Sequence, residues 1–320
     1  MLLTFALLLV GFVVLIKGAD LLVGGASSIA KSYGISNLAI GLTVVACGTS
    51  APELLVSLLS AFAGRNDASF GNVIGSNNFN LFLILGLSGV IAPLVVQRNT
   101  VKFEIPISLA AAMILYAMVN DSFFIGASDN SLSRLDSLIL LALFGLFLYY
   151  IFRTMRDGVD LGETESIAIY SKPRSLLYLL LGLGMLIGGG KLVVDNAIEI
   201  AKAYGLSEKL IGLTILAVGT SLPELATSLV AAYKKNTDIA IGNVVGSNIF
   251  NILLILGVTG AIHPVGFNTA LNFDLQVFMG GTVLLIIFMF TLHTRKLDRW
   301  EALLLVLSYV TYTVYLVAND

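Results

Sequence analysis

Charge is scarce in this chain. Only 12% of its 320 residues are Asp, Glu, Lys or Arg, 57% are hydrophobic, and the mean hydropathy is +0.94. So little charge cannot cover the surface of a water-soluble domain. Cysteine is nearly absent. Cys47 stands alone, which excludes an intramolecular disulfide and leaves the redox compartment unread. It reads as a small, buried apolar residue. Histidine is limited to His263 and His293, neither in metal-ligand spacing with Cys47, which argues against a soft-metal site. No HExxH motif and no nucleophile–base pair accompanies the central acids, so the chain does not read as an enzyme. Nothing points to a bound cofactor or to nucleic acid.

What is present is a series of long apolar runs. A spanning helix needs roughly 17–25 such residues. Ten stretches qualify, at about 2–26, 36–62, 68–92, 103–120, 134–153, 174–198, 207–232, 237–262, 274–293 and 298–318. The first lacks a basic leader, and the residues around Lys17 to Asp20 make a poor cleavage site, so it reads as a span and not as a signal peptide. The longest connection, 154–173, carries Arg156, Asp157, Asp160, Glu163, Glu165 and Lys172. It is too short for a domain and reads as a solvated linker.

Basic residues orient the chain. Loops on the side of the N-terminus carry Arg65, Arg134, Lys202 and Lys209. Opposite loops carry Lys31, Arg98, Lys102, Arg153, Arg156, Lys172, Arg174, Lys234, Lys235, Arg295, Lys296 and Arg299. Four against twelve predicts a cytoplasmic central linker and both termini outside.

The chain also contains itself twice. GLTVVACGTSAPEL at 41–54 returns as GLTILAVGTSLPEL at 212–225, and GNVIGSNNFN at 71–80 returns as GNVVGSNIFN at 242–251. IAKSYGIS at 29–36 matches IAKAYGLS at 200–207 in the same register, 171 residues on. The matched motifs lie in the second and seventh stretches and in the third and eighth. Five crossings separate each pair, and five is odd, so the halves are predicted to be inverted. The expectation is an all-α integral membrane protein of ten transmembrane helices in two inverted five-helix repeats, 1–153 and 174–320, joined by the linker 154–173. Inverted repeats with interrupted helices at mid-membrane are common in secondary transporters, although channels and enzymes also contain repeats.

Glu53 and Glu224 fall near the centres of their stretches. A charge there costs about 2.5–3.5 kcal/mol on insertion scales, so an intramembrane acid is a functional candidate. The bland alternative is a pair of protonated glutamates joining helices. Thr49 shares a helical face with Glu53, and Thr220 with Glu224, at i, i+4. Pro52 and Pro223 lack an N–H and clash with the carbonyl four residues back, which frees backbone oxygen near Gly48 and Gly219 and loosens the carbonyls of Ala46, Thr49, Ala217 and Thr220. A ligand-free kink is the simpler reading of either proline alone. Proline, hydroxyl and carboxylate together, and twice, are more specific. Ser76 and Asn80 share a face, as do Ser247 and Asn251, and these four read as further ligands. Asn77 and Asn248 read as packing groups. The inventory is all oxygen, which suits hard cations such as Ca2+ and Na+.

These paired motifs resemble the repeats of the cation/Ca2+ exchanger superfamily, sodium/calcium exchanger branch, and the resemblance runs over essentially the whole chain. The proton/calcium branch usually carries a GNxxE-type motif at the first acid. GTSAPE and GTSLPE here point to sodium as the driving ion. The resemblance implies a central Ca2+ on Glu53 and Glu224 with the Thr49 and Thr220 carbonyls. It implies Na+ at flanking positions using Ala46, Ser50, Glu53 and Ser76 and their mates Ala217, Ser221, Glu224 and Ser247, with Asn80 and Asn251 between. It further implies Na+/Ca2+ exchange by alternating access, with the first and sixth helices moving. Asn251 stands where the potassium-dependent branch has Asp. Carboxylates also bind protons and line pores, so a proton-coupled divalent-cation antiporter and a cation channel are the alternatives.

Overall fold

The computed structural model describes residues 2–124, 126, 129–157, 170–204, 217–291 and 293–319. The chain is helical. In chain order the main helices are α1 (Leu2–Tyr33), α2 (Asn37–Thr49), α3 (Ala51–Phe62), α4 (Asn66–Ile91), α5 (Thr100–Met118), α6 (Arg134–Asp157), α7 (Lys172–Ala203), α8 (Leu222–Tyr233), α9 (Thr237–Ile262), α10 (Thr269–Phe288) and α11 (Arg299–Asn319). Among the described residues eight are long and apolar enough to cross a membrane. Counting the pair α2 and α3, bent by 44°, as one broken span makes nine. The sequence predicts ten. The missing stretch, 207–232, is described only from residue 217, as the short helix Ala217–Gly219 followed by α8. Residues 207–216 and most of the expected linker, 158–169, lie outside the described residues.

α1 and α7 run further than hydropathy suggests, 32 residues each. At 1.5 Å per residue that is about 48 Å, more than the ~30 Å apolar core, so each tilts or extends beyond that core. They pack along a small-residue stripe. A side chain at Gly18 would meet the Gly182 carbonyl, one at Gly25 the Ser175 carbonyl, and one at Gly189 the Gly11 carbonyl. Backbone approaches backbone here because no Cβ intervenes. The outer face of α1 shows Leu2, Leu9, Val13 and Ile16, as a lipid-facing surface should.

Turns recur between the halves with different residues. Gly64 ends α3 at φ +68°, and Lys235, 171 residues on, ends α8 at φ +57°. Arg65 N–H and Asn236 N–H then close equivalent bonds to the Ser60 and Ala231 carbonyls, each at 2.8 Å. Short strands tie one half to the other. β1 (Leu94–Val95) pairs with β4 (Lys296–Leu297), setting Leu94 opposite Leu297, and β2 (Ser131–Leu132) pairs with β3 (Val265–Gly266), setting Leu132 opposite Val265. Two half-buried tyrosine–carboxylate bonds join the last helices of each half: Tyr150 Oη donates to Glu104 Oε1 at 2.7 Å, and Tyr312 Oη to Asp274 Oδ1 at 2.6 Å.

The core is built on α4 and α9. Every residue from Ile239 to Ile249 is buried. Both helices widen to π geometry after the GSN motif, at Phe79–Ile84 and Phe250–Leu256. Such widened turns are frequent at functional sites. Cys47 corrects an expectation: it lies on the exposed surface, because the helical face it shares with Val44 points away from the core.

Candidate cation site

Each GTS-x-P-E motif breaks its helix at the serine. Ser50 adopts φ −83°, ψ 7° and Ser221 φ −90°, ψ 8°, and the following prolines take the first positions of α3 and α8, where no N–H is needed. Glu53 and Glu224 therefore stand in the first turn of a helix, where the dipole favours an anion. Both are 1% exposed.

The carboxylates are held from the opposite half. Ser50 Oγ donates to Glu224 Oε1 at 2.9 Å, and Ser221 Oγ to Glu53 Oε1 at 3.1 Å. Ser221 Oγ also lies 3.0 Å from Ser76 Oγ, and Ser247 Oγ lies 3.5 Å from Glu224 Oε1. Since Ser50 sits one helical turn before Glu53, this exchange places the two acids side by side. Asn80 and Asn251, on the π turns of α4 and α9, are each 1% exposed. Asn80 Nδ2 donates to Asn248 Oδ1 at 3.1 Å, and Asn251 Nδ2 to Asn77 Oδ1 at 2.9 Å.

Of the eleven side-chain oxygens buried without a partner among the described residues, four belong to these acids and amides: Glu53 Oε2, Glu224 Oε2, Asn80 Oδ1 and Asn251 Oδ1. A buried acceptor with no partner costs about 1–3 kcal/mol, more when charged. Two carboxylate and two amide oxygens together are what a hard cation satisfies. Among the described residues no group of three or more His, Cys, Asp or Glu side chains is placed to hold a metal ion.

The remaining sequence candidates are placed as follows. The Thr49 hydroxyl lies 3.1 Å from both the Val45 carbonyl and Asn243 Oδ1. Thr220 Oγ1 donates to Asn72 Oδ1 at 3.3 Å. Both hydroxyls thus turn to an asparagine of the other half. Ala46 is buried, and its carbonyl accepts Ser50 N–H at 3.0 Å, so it keeps its helical bond across the break. Ala217 opens the helix Ala217–Gly219.

Motif reading misses Asn72 and Asn243. Asn72 Nδ2 donates to the Glu53 carbonyl at 3.1 Å and to Ser57 Oγ at 2.9 Å, and Asn243 Nδ2 to the Glu224 carbonyl at 3.3 Å and Ser228 Oγ at 2.9 Å. They tie the acid-bearing helix to α4 or α9. Their signal was present, since each is the Asn of a repeated GNV, but nothing local gives such an Asn a partner on another helix.

Fold and site together define a helical membrane protein with a buried, acidic, oxygen-lined centre shared by two equivalent halves, as suits a carrier of hard cations. A family model described as "Sodium/calcium exchanger protein" matches residues 3–153 and 174–318, and the chain belongs to this family. It is 38% identical over its whole length to the putative antiporter CaxA of Alkalimonas amylolytica, also covered in full. It is 32% identical to the sodium/calcium exchanger MaX1 of Methanosarcina acetivorans, covering 98% of each. Its fold is similar to a solved structure of the sodium-calcium exchanger NCX_Mj soaked without Na+ and Ca2+, with a TM-score of 0.84, 33% identity, and coverage of 98% and 99% of the two chains.

Proposed function

We propose that this member of the family is a secondary active antiporter exchanging Na+ for Ca2+ across the membrane by alternating access. It would do so with ten spans in two inverted repeats, both termini outside and the central loop cytoplasmic. The four orphaned acceptor oxygens carry this reading. Glu53 Oε2 and Glu224 Oε2 take Ca2+ at the centre, aided by the Thr49 and Thr220 carbonyls. Na+ uses the Ala46 and Ala217 carbonyls and the hydroxyls of Ser50, Ser76, Ser221 and Ser247, four of which already lie against a carboxylate or one another. Asn80 Oδ1 and Asn251 Oδ1 line the middle.

Coupling follows from charge. Two carboxylates give the pocket about two negative charges, which one Ca2+ or two Na+ neutralise. An empty pocket buries unpaired charge, a state that costs several kcal/mol per ion. Crossing is favoured when loaded and opposed when empty, so the ions exchange. The α1–α7 pair, joined through its glycine stripe, is the unit that slides past the rest.

The test is radiolabelled Ca2+ uptake into proteoliposomes driven in turn by outward Na+, H+ and K+ gradients. Uphill uptake with Na+ alone is expected. Equal uptake driven by a pH gradient without Na+ would make protons the coupling ion. Only downhill, gradient-independent flux would make the protein a channel.

A further inference from the structure

Two asparagines set aside by motif reading as packing groups decide which way two candidate ligands face. Asn77 Nδ2 donates to the backbone carbonyl of Asn248 at 3.3 Å. A carbonyl only accepts, so this bond dictates which end of the Asn77 amide is nitrogen. The other end, Oδ1, is turned to Asn251, whose Nδ2 donates to it at 2.9 Å. Asn251 Oδ1 is thereby left on the far side, buried and with no donor. The mate pair repeats the amide–amide bond and the orphaned oxygen, though not the bond to a backbone carbonyl: Asn80 Nδ2 donates to Asn248 Oδ1 at 3.1 Å, and Asn80 Oδ1 is buried without a donor. All four side chains are at most 2% exposed.

We infer that Asn77 and Asn248 are positioning residues of the cation site, Asn77 holding Asn251 and Asn248 holding Asn80 with the amide oxygen toward the ion. The inference rests on the reading of Asn80 and Asn251 as ligands. An amide has two unlike ends. Its oxygen binds a cation, and its NH2 group repels one. Turned over, Asn251 would set its Oδ1 against Asn77 Oδ1 and its NH2 toward the ion. Groups that orient a metal ligand in this way typically change affinity 10–100-fold when removed. A carboxylate has no such sense, because both its ends are oxygen. The need for Asn77 therefore disappears when residue 251 becomes Asp, and persists when only residue 80 does.

The test is a mutant cycle read by calorimetric Ca2+ affinity of the purified full-length protein. Asn77→Val is expected to weaken Ca2+ binding about tenfold in the wild-type background. With Asn251→Asp already present the same change should cost under about threefold. With Asn80→Asp present it should keep its full effect. Equal losses in all three backgrounds would mean a merely structural role and would overturn the inference. If Asn77→Val is not monodisperse, Asn77→Ser serves in the same cycle, because a hydroxyl both donates and accepts and so imposes no sense on Asn251. Asn251→Ala separates the two readings. Unchanged Ca2+ affinity there removes Asn251 from the ligand set, whereas weakened affinity with background-independent Asn77 losses sinks the positioning role alone.

Discussion

Ser50 donates its hydroxyl not to Glu53, three residues along its own chain segment, but to Glu224 in the other half, at 2.9 Å. Ser221 returns the bond to Glu53 at 3.1 Å. Thr49 with Asn243, Thr220 with Asn72, Asn77 with Asn251 and Asn80 with Asn248 cross in the same way. A reciprocal set of this kind is what a twofold relation between two copies requires. Each acid thus takes a serine hydroxyl from the other half.

Glu53→Gln or Glu224→Gln should each lower the rate of Ca2+ transport by about a hundredfold or more while the purified protein stays monodisperse, because each removes half the charge that a divalent ion needs. Initial rates of Ca2+ uptake in proteoliposomes decide it. Near wild-type exchange by either variant would remove that acid from the site.

Ser50→Ala should resemble Ser221→Ala. Each removes one hydrogen bond to a buried carboxylate, worth about 1.5–3 kcal/mol, and one sodium ligand. The measurable outcome is a weaker apparent Na+ affinity, roughly tenfold or more, seen as a rightward shift of the Na+ dependence of exchange. An unshifted Na+ dependence in either variant would place its hydroxyl outside the sodium positions.

Packing of the moving pair is testable at Gly182. A side chain there meets the Leu22 backbone and the Gly18 carbonyl. Gly182→Val should lower thermal stability by about 1–3 kcal/mol, the usual range for overpacking, and should slow exchange. A thermal melt in detergent together with uptake rates checks both. Full activity and an unchanged melt would mean that α1 and α7 separate freely at this level.

The four-to-twelve split of basic residues predicts that a cysteine introduced at Asp160, in a Cys47→Ala background, resists an impermeant maleimide added to intact cells. The background removes Cys47, the only other cysteine in the chain. Ready labelling at 160 would reverse the orientation.

Potassium should not be required. Asn251 coordinates through its oxygen but brings no charge, so the pocket holds about two negative charges and has none to spare for a further monovalent ion. If three Na+ exchange for one Ca2+, the cycle is electrogenic, with the potential contributing about 2.3 kcal/mol per charge per 100 mV. Uptake with choline in place of K+ on both sides should match uptake with K+ restored. An absolute K+ requirement would refute the prediction.

Composition and periodicity by themselves determined that the chain spans a membrane and is duplicated at an offset of 171 residues, with a glutamate behind a proline in each copy. Those features are legible because they are local: an apolar run, a repeat and a missing N–H each act within one helix. Helix ends were less legible. The first apolar stretch is read over about 2–26, yet the helix continues to Tyr33, and Ser27 and Ser28, just past that stretch, are buried. Tertiary structure alone decided the exposure of Cys47, the ties from Asn72 and Asn243 to the acid-bearing helices, and the crossing of Ser50, Ser221, Asn80 and Asn251 to partners in the opposite half. An amide or hydroxyl accepts or donates in any direction, so its partner is set by which helix lies against it. That contact depends on how two copies of one sequence pack, and no spacing within either copy records it.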